Sequence, residues 1–201
     1  KSDQGQKNAM IPNLIKSLII NRPSQVWVSD FTYLWFLGRF IYLATVVDAF
    51  TREIVGWVTS TRHDTKLIIE ALDQAQLKYE TPEIIHSDQG SHFTSEQFLK
   101  PLQDKKVKIS MNGRGRCLDN IFTERLWRTV KYENVYLKSY QNINEAKTGL
   151  TEYFLFYNHK RKHQSLNKQT PANMYFNFQR SKEKSKILTP SVQHKLSTIT
   201  V

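Results

Sequence analysis

Asp30, Asp88 and Glu124 each stand in a segment that looks built to hold a carboxylate, and together they could do phosphoryl-transfer chemistry. Asp30 lies in Trp27-Val-Ser-Asp-Phe-Thr-Tyr33, Asp88 in His86-Ser-Asp-Gln-Gly90 and Glu124 at the end of Asp119-Asn-Ile-Phe-Thr-Glu124, with 35 residues between the last two acids. Two aspartates on or just after strands and a glutamate on a helix can hold two divalent cations, which serve the attacking and the leaving oxygen of a phosphodiester. Each acid alone also has an ordinary explanation. Asp30 could face water at a sheet edge or pair with Arg39, Asp88 could close an Asp turn, and Glu124 could form a solvated i,i+4 pair with Arg128 worth a few tenths of a kcal/mol. Taken together, the three acids outweigh these separate explanations.

The surroundings sharpen the reading. An ionised carboxylate in a strand of Trp and Phe is costly to bury without a partner, so Asp30 calls for a cation. Asp88 directly follows a short apolar run and precedes a glycine, where α/β sheets tend to place their chemistry. Asn120, Glu124, Arg128 and Lys131 fall on one helical face, an amide, a carboxylate and two cations that could meet a metal and its phosphates. Three clustered acids should repel one another and raise at least one pKa.

The elements that must position these residues follow from patterning. Val26 to Leu34, Arg39 to Asp48 and Glu53 to Ser60 read as three consecutive strands with short links, an antiparallel meander. Asp64 is a candidate N-cap for a helix ending near Tyr79, with Leu67, Ile68, Ala71, Leu72 and Ala75 at helical spacing. Glu83 to His86 reads as a buried strand, Ser95 to Leu102 as a helix and Val107 to Ser110 as the last strand. Two glycines in Asn112 to Gly115 mark a connection beside the proposed site. Leu118 to Lys131 and Ile143 to Tyr157 read as helices. The periodicity supports a mixed α/β domain. Its organisation is expected to be an N-terminal linker over residues 1–21, a core with a C-terminal helix over 22–180, and a flexible basic tail over 181–201. The four tryptophans are expected in the core, His86 is as well explained by a structural role as by a place near metals, and His159 with His163 lacks further ligands for zinc.

A chain of 201 residues supports one principal core. Its net charge of +11, from 29 Lys and Arg against 18 Asp and Glu, points to a polyanionic partner, with nucleic acid the leading candidate. The apolar runs are far shorter than the roughly 20 residues needed to span a bilayer. The polar start, Lys1 to Lys7, with no signal-like apolar core after it, reads as cytosolic. Cys117 is the only cysteine, which excludes a disulfide framework or a Cys-based zinc site within one chain.

The three acidic segments and their spacing resemble the catalytic core of a DDE transposase, and more closely the insertion sequence three family of bacterial transposases, similar to retroviral integrases. Val47-Asp-Ala-Phe-Thr-Arg-Glu-Ile-Val-Gly-Trp57, Leu126-Trp-Arg-Thr-Val-Lys-Tyr-Glu133, Tyr157-Asn-His-Lys-Arg161, His163 and Thr170-Pro171 carry the likeness further, from about Arg22 to Tyr175. The resemblance implies an RNase H-like mixed five-stranded sheet flanked by helices, with a C-terminal helical extension. It implies Asp30, Asp88 and Glu124 as ligands of two Mg²⁺ ions, with Mn²⁺ able to substitute, and Lys131 as the basic residue seven positions after the glutamate. It implies DNA as partner, both element ends and target, a homo-oligomer on DNA, and a bacterial, nucleoid-associated location. Lys162 departs from the proline usual between the arginine and histidine of the C-terminal motif. N-terminal helix-turn-helix segments, usual in the family, are expected to lie outside these 201 residues.

Arg114, Arg116, Arg128 and Lys131 are expected to contact phosphate rather than bases, with Asn120 beside them, giving salt-sensitive and sequence-tolerant binding. Two alternatives stay open: an RNase H-like nuclease that uses only water as nucleophile, and a catalytically silent DNA-binding module.

Overall fold

The computed structural model describes residues 11–36, 38–113, 121–138 and 140–188. Five strands form one sheet: β1 (Val26–Phe36), β2 (Arg39–Asp48), β3 (Ile54–Ser60), β4 (Ile84–Ser87) and β5 (Lys108–Met111). The order across the sheet is β3-β2-β1-β4-β5. The first three strands run antiparallel as a meander, and β4 and β5 lie parallel to β1. This is the mixed five-stranded arrangement expected, since helical crossovers between β3, β4 and β5 bring each new strand back in the same direction.

Helix α1 (Thr65–Gln76) and helix α2 (Glu96–Asp104) cover one sheet face. Trp27, Ala44, Val46 and Ile85 meet Ile68, Ala71, Phe98 and Leu102 in that layer. The Asp64 side chain accepts the Leu67 amide at 3.2 Å and so caps α1 as its sequence position suggests. Gly56 on β3 lets α1 lie close, because a Cβ there would stand 2.1 Å from the Ala71 carbonyl oxygen.

Helix α3 (Ile121–Val130) and helix α4 (Ile143–His159) cover the opposite face. Leu126, Trp127, Val130, Leu150, Phe154 and Tyr157 pack there on Leu34, Leu43, Val47 and Ile54. A π-helical turn, Lys131–Val135, follows α3 directly. It turns Asn134 inward, where its Nδ2 donates to the Gly149 carbonyl at 3.2 Å and its Oδ1 accepts from the Tyr140 hydroxyl at 2.7 Å. A periodic pattern cannot signal such a turn, because the apolar spacing carries on through it.

The C-terminal helix α5 (Pro171–Leu188) follows a 3₁₀ turn at Gln164–Leu166. It runs on through residues 181–188, which the charge pattern assigns to a tail. Three tryptophans pack into the two layers, but Trp35 is 56% exposed and leans on Phe40 near the β1–β2 turn.

Candidate active site

Asp30 and Asp88 arrive at the same place by strand register. In the parallel pair of β1 and β4, Val28 lies opposite His86. Two residues further along each chain come Asp30 and Asp88, so the two acids end side by side at the carboxyl end of β4, with strand axes about 4.8 Å apart. Alternation along β1 sends Asp30 to the face that carries Leu34, and therefore toward α3.

Helix α3 holds Asp30 in place. The Trp127 indole Nε1 donates to its Oδ2 at 2.9 Å, the Phe31 amide donates to its Oδ1 at 2.8 Å, and the Thr123 hydroxyl adds a further hydrogen bond. Burial pushes the Asp30 carboxyl above its ordinary range, these hydrogen bonds oppose the rise, and the charge of Asp88 adds to it. The increase expected for clustered acids is thus present, though burial dominates and the neighbouring acid contributes less. Asp88 is exposed, and its Oδ1 accepts the Gly90 amide at 2.8 Å, the turn that its sequence context allows. The turn and the pairing with Asp30 coexist.

Glu124 follows Thr123 and precedes Trp127 by three positions, so the two side chains that grip Asp30 flank it on α3. Its own side chain is exposed. Among the described residues, no three His, Cys, Asp or Glu side chains converge closely enough to hold a metal ion. The structure therefore brings Asp30 and Asp88 together and sets Glu124 on the adjoining helix surface without closing a three-carboxylate cage. The donor set still suits a hard divalent cation, since the partners are carboxylate oxygens and the buried acid lies next to a second negative charge.

The expected phosphate-binding residues separate. Arg128 is exposed and lines a cavity with Arg125. Lys131 sits on the far side of the acid, its Nζ 5.2 Å from the centre of the Tyr33 ring. At about 100° per residue Arg128 and Lys131 lie about 60° apart on the helix, one on each side of Glu124, which is why they part. Arg114, Arg116 and Asn120 lie outside the described residues.

His86 is structural in this arrangement. It is fully buried, with Nδ1 2.9 Å from the Ser110 hydroxyl and Nε2 2.8 Å from Asn112 Oδ1. Because the Leu14 amide donates to the same Ser110 oxygen, the hydroxyl is free to donate to Nδ1, and Nε2–H then serves Asn112. This chain of hydrogen bonds steadies β4 and β5 just before Asp88.

Several supporting residues were not evident from sequence. Trp127 reads as core, and it is, but its indole N–H also orients Asp30. Asn158 on α4 donates to the Ile54 carbonyl at 2.9 Å and accepts the Ile54 amide at 3.0 Å, pinning α4 to β3. Arg161 makes a two-pronged contact with Glu133 at 3.0 and 2.8 Å, and Tyr153 donates to the same carboxylate at 2.9 Å. Only the likeness of Tyr157-Asn-His-Lys-Arg161 to a family motif hints that this segment matters.

The comparisons agree with the architecture. Two models described as integrase core domain match residues 20–117 and 105–171. The InsK protein of insertion sequence element IS150 of Escherichia coli is 34% identical over 174 residues, covering 85% of this chain and 62% of that protein. The transposase of insertion sequence element IS904 of Lactococcus lactis is 34% identical over 167 residues, covering 81% and 66%. The chain thus spans about three fifths of the length of these relatives. Among solved structures, the HTLV-2 integrase catalytic core domain in complex with magnesium matches with a TM-score of 0.64 at 19% identity, covering 77% of this chain and 97% of that one. Sheet order, helical layers and sequence likeness converge, and the chain belongs to the DDE transposases of the IS3 family, on the RNase H-like fold of integrase cores.

Proposed function

We propose that this chain is the catalytic core of an insertion sequence transposase that cuts DNA strands and joins them to a target, with Asp30, Asp88 and Glu124 holding two Mg²⁺ ions. The observation that carries the reading is the pairing of Asp30, within β1, with Asp88, just past the end of β4, with the Asp30 carboxyl buried beside a second negative charge. A buried acid in that position loses its burial penalty when a cation arrives. When bound, the divalent cations supply activation of the attacking oxygen and neutralisation of the leaving one.

The protein's own groups do the positioning. Trp127, Thr123 and the Phe31 amide fix the Asp30 carboxylate, and the Gly90 amide fixes that of Asp88. Preorganised carboxylates reduce the ordering cost of gathering charge in the transition state. Glu124 swings from the exposed flank of α3 to complete the set. Lys131 and Arg128 meet the phosphates to either side, together with Arg114, Arg116 and Asn120. Residues 22–180 form the catalytic unit. Two DNA ends must be held at once, which a homo-oligomer on DNA would do, with end recognition left to a helix-turn-helix part. The working location is the bacterial nucleoid in the cytoplasm; among the described residues no helix is long and apolar enough to cross a membrane.

Nicking and joining of supercoiled plasmid in Mg²⁺ or Mn²⁺ tests the reading. The wild-type chain should give nicked and joined products, and Glu124→Gln should give neither. Nicking without joining would favour a simple nuclease, and full activity in the variant would remove Glu124 from the mechanism.

A further inference from the structure

A cavity lies against α3, on residues next to Glu124 and one turn beyond it. Arg125, Arg128 and Thr129 of α3 face Tyr157, Arg161, His163, Gln164 and Ser165 across this cavity of about 500 Å³. That is the size range of sites that hold a small molecule or one unit of a polymer. Among the described residues three guanidinium groups line it, from two separate parts of the fold, and no carboxylate does. Like charges gathered in one concavity repel, and an anion between them reverses the sign of that interaction.

The walls are held ready. Arg161 is fixed by its fork on Glu133 and lies over the Tyr157 ring, 5.9 Å from its centre. His163 stacks edge-on against Tyr157 at 4.7 Å and sets the turn that carries Gln164 and Ser165. Arg52, behind this wall, is lowered to about 10 chiefly by burial and interacts with both Tyr157 and Arg125. It keeps its charge at neutral pH and adds to the positive field. Arg125 and Arg128 are exposed and reach into the open side.

Helix geometry relates this cavity to the acids. At about 100° per residue, Thr123 and Trp127 lie on one side of Glu124, by about 100° and 60°, and Arg128 and Arg125 lie on the other, by about 40° and 100°. Glu124 therefore divides the Asp30 side of α3 from the basic cavity. A strand whose scissile phosphate sits at the acids has a neighbouring phosphate within reach of the arginines one helical turn away.

We propose that this cavity is a subsite that clamps a backbone phosphate of the bound DNA strand through Arg125, Arg128 and Arg161. The inference rests on the DNA reading above and adds to it residues of the C-terminal motif, which the acid site does not use. Arginine suits the task because the planar forks of Arg125 and Arg128 can each match two phosphate oxygens, while Arg161, whose Nε and Nη2 serve Glu133, has Nη1 left to give.

The test is DNA binding by fluorescence anisotropy over a salt series, with a short labelled duplex and the wild-type chain, Arg125→Gln, Arg125→Gln/Arg128→Gln and Lys100→Gln/Lys106→Gln. Lys100 on α2 and Lys106 in the turn after it are exposed, on the opposite sheet layer. The double arginine variant should flatten the log–log salt slope by about 0.9, the share of the one phosphate that the cavity holds, and Arg125→Gln alone by part of that. The lysine pair should change the slope by about half that of the arginine pair or less. Wild-type binding with a normal salt slope that the arginine variants leave unchanged would overturn the subsite and spare the DNA reading. No salt-dependent DNA binding by the wild-type chain would instead overturn the DNA reading itself, and the subsite with it. Arg125→Gln alters one exposed side chain, so the test survives if the double variant folds poorly.

Discussion

Replacing Glu53 by glutamine should stabilise the protein at pH 8 and leave it almost unchanged at pH 4. Glu53 is 4% exposed at the end of the turn between β2 and β3, and its Oε1 accepts the Tyr79 hydroxyl at 2.9 Å. Burial, aided by the charge of Asp48, pushes its carboxyl from an ordinary 4.5 up to about 7. A group raised that far costs roughly 3 kcal/mol once ionised, at 1.36 kcal/mol per pH unit. Between about pH 4.5 and 7 the folded state holds a proton that the unfolded chain has released, so stability falls as pH rises through this window and levels off above it. Glutamine keeps the shape and the acceptor for Tyr79 but never ionises. The variant should therefore gain up to about 3 kcal/mol at pH 8, or about 6–12 °C in midpoint for a chain of this size. Thermal unfolding followed by circular dichroism at pH 4, 6 and 8 reads this directly. Equal midpoints for both proteins at pH 8, or an equal gain at all three pH values, would refute the argument that burial of the charge is the cause.

Three further outcomes follow from packing and hydrogen bonding. Asn158→Ala strands the amide and carbonyl of Ile54 and should cost about 2–6 kcal/mol in urea unfolding, since each buried orphan group costs about 1–3 kcal/mol. Gly56→Ala forces a methyl group onto the Ala71 carbonyl and should cost about 1–3 kcal/mol, or shift α1 measurably in a crystal structure. Trp127→Phe removes the indole donor from Asp30 while keeping an aromatic ring; the Asp30 titration, followed by carboxyl carbon NMR, should move to higher pH, because that hydrogen bond now holds it down.

How far the molecule was legible depended on the range of the forces involved. The strands were readable because β-branched and aromatic runs end at glycine or turn residues: β2 runs from Arg39 to Asp48 as patterned, and β1 extends two residues past the expected Leu34. The α1 cap was readable because Asp64 acts on an amide three residues away. The acids were identifiable by type and spacing, but their arrangement was not. The partner of Asp30 is Trp127, 97 residues on, and nothing local marks an indole as a donor rather than as core alone. The π-helical turn was invisible because it changes the hydrogen bonding of the helix without changing its composition, whereas the parting of Lys131, at Tyr33, from Arg128, at the basic cavity, follows from their separation of about 60° on the helix. Trp35 was misjudged because strand periodicity does not show where β1 outruns its helical cover.

The central claim is that Asp30, Asp88 and Glu124 form one cation site, and direct titration of Mn²⁺, with free ion followed by electron paramagnetic resonance, tests it without requiring DNA or turnover. The account predicts saturable binding by the wild-type chain, displaced by Mg²⁺, with severe loss in Asp30→Asn and clear weakening in Glu124→Gln. Binding that is unchanged in Asp30→Asn, or its absence in a folded wild-type chain, would contradict it.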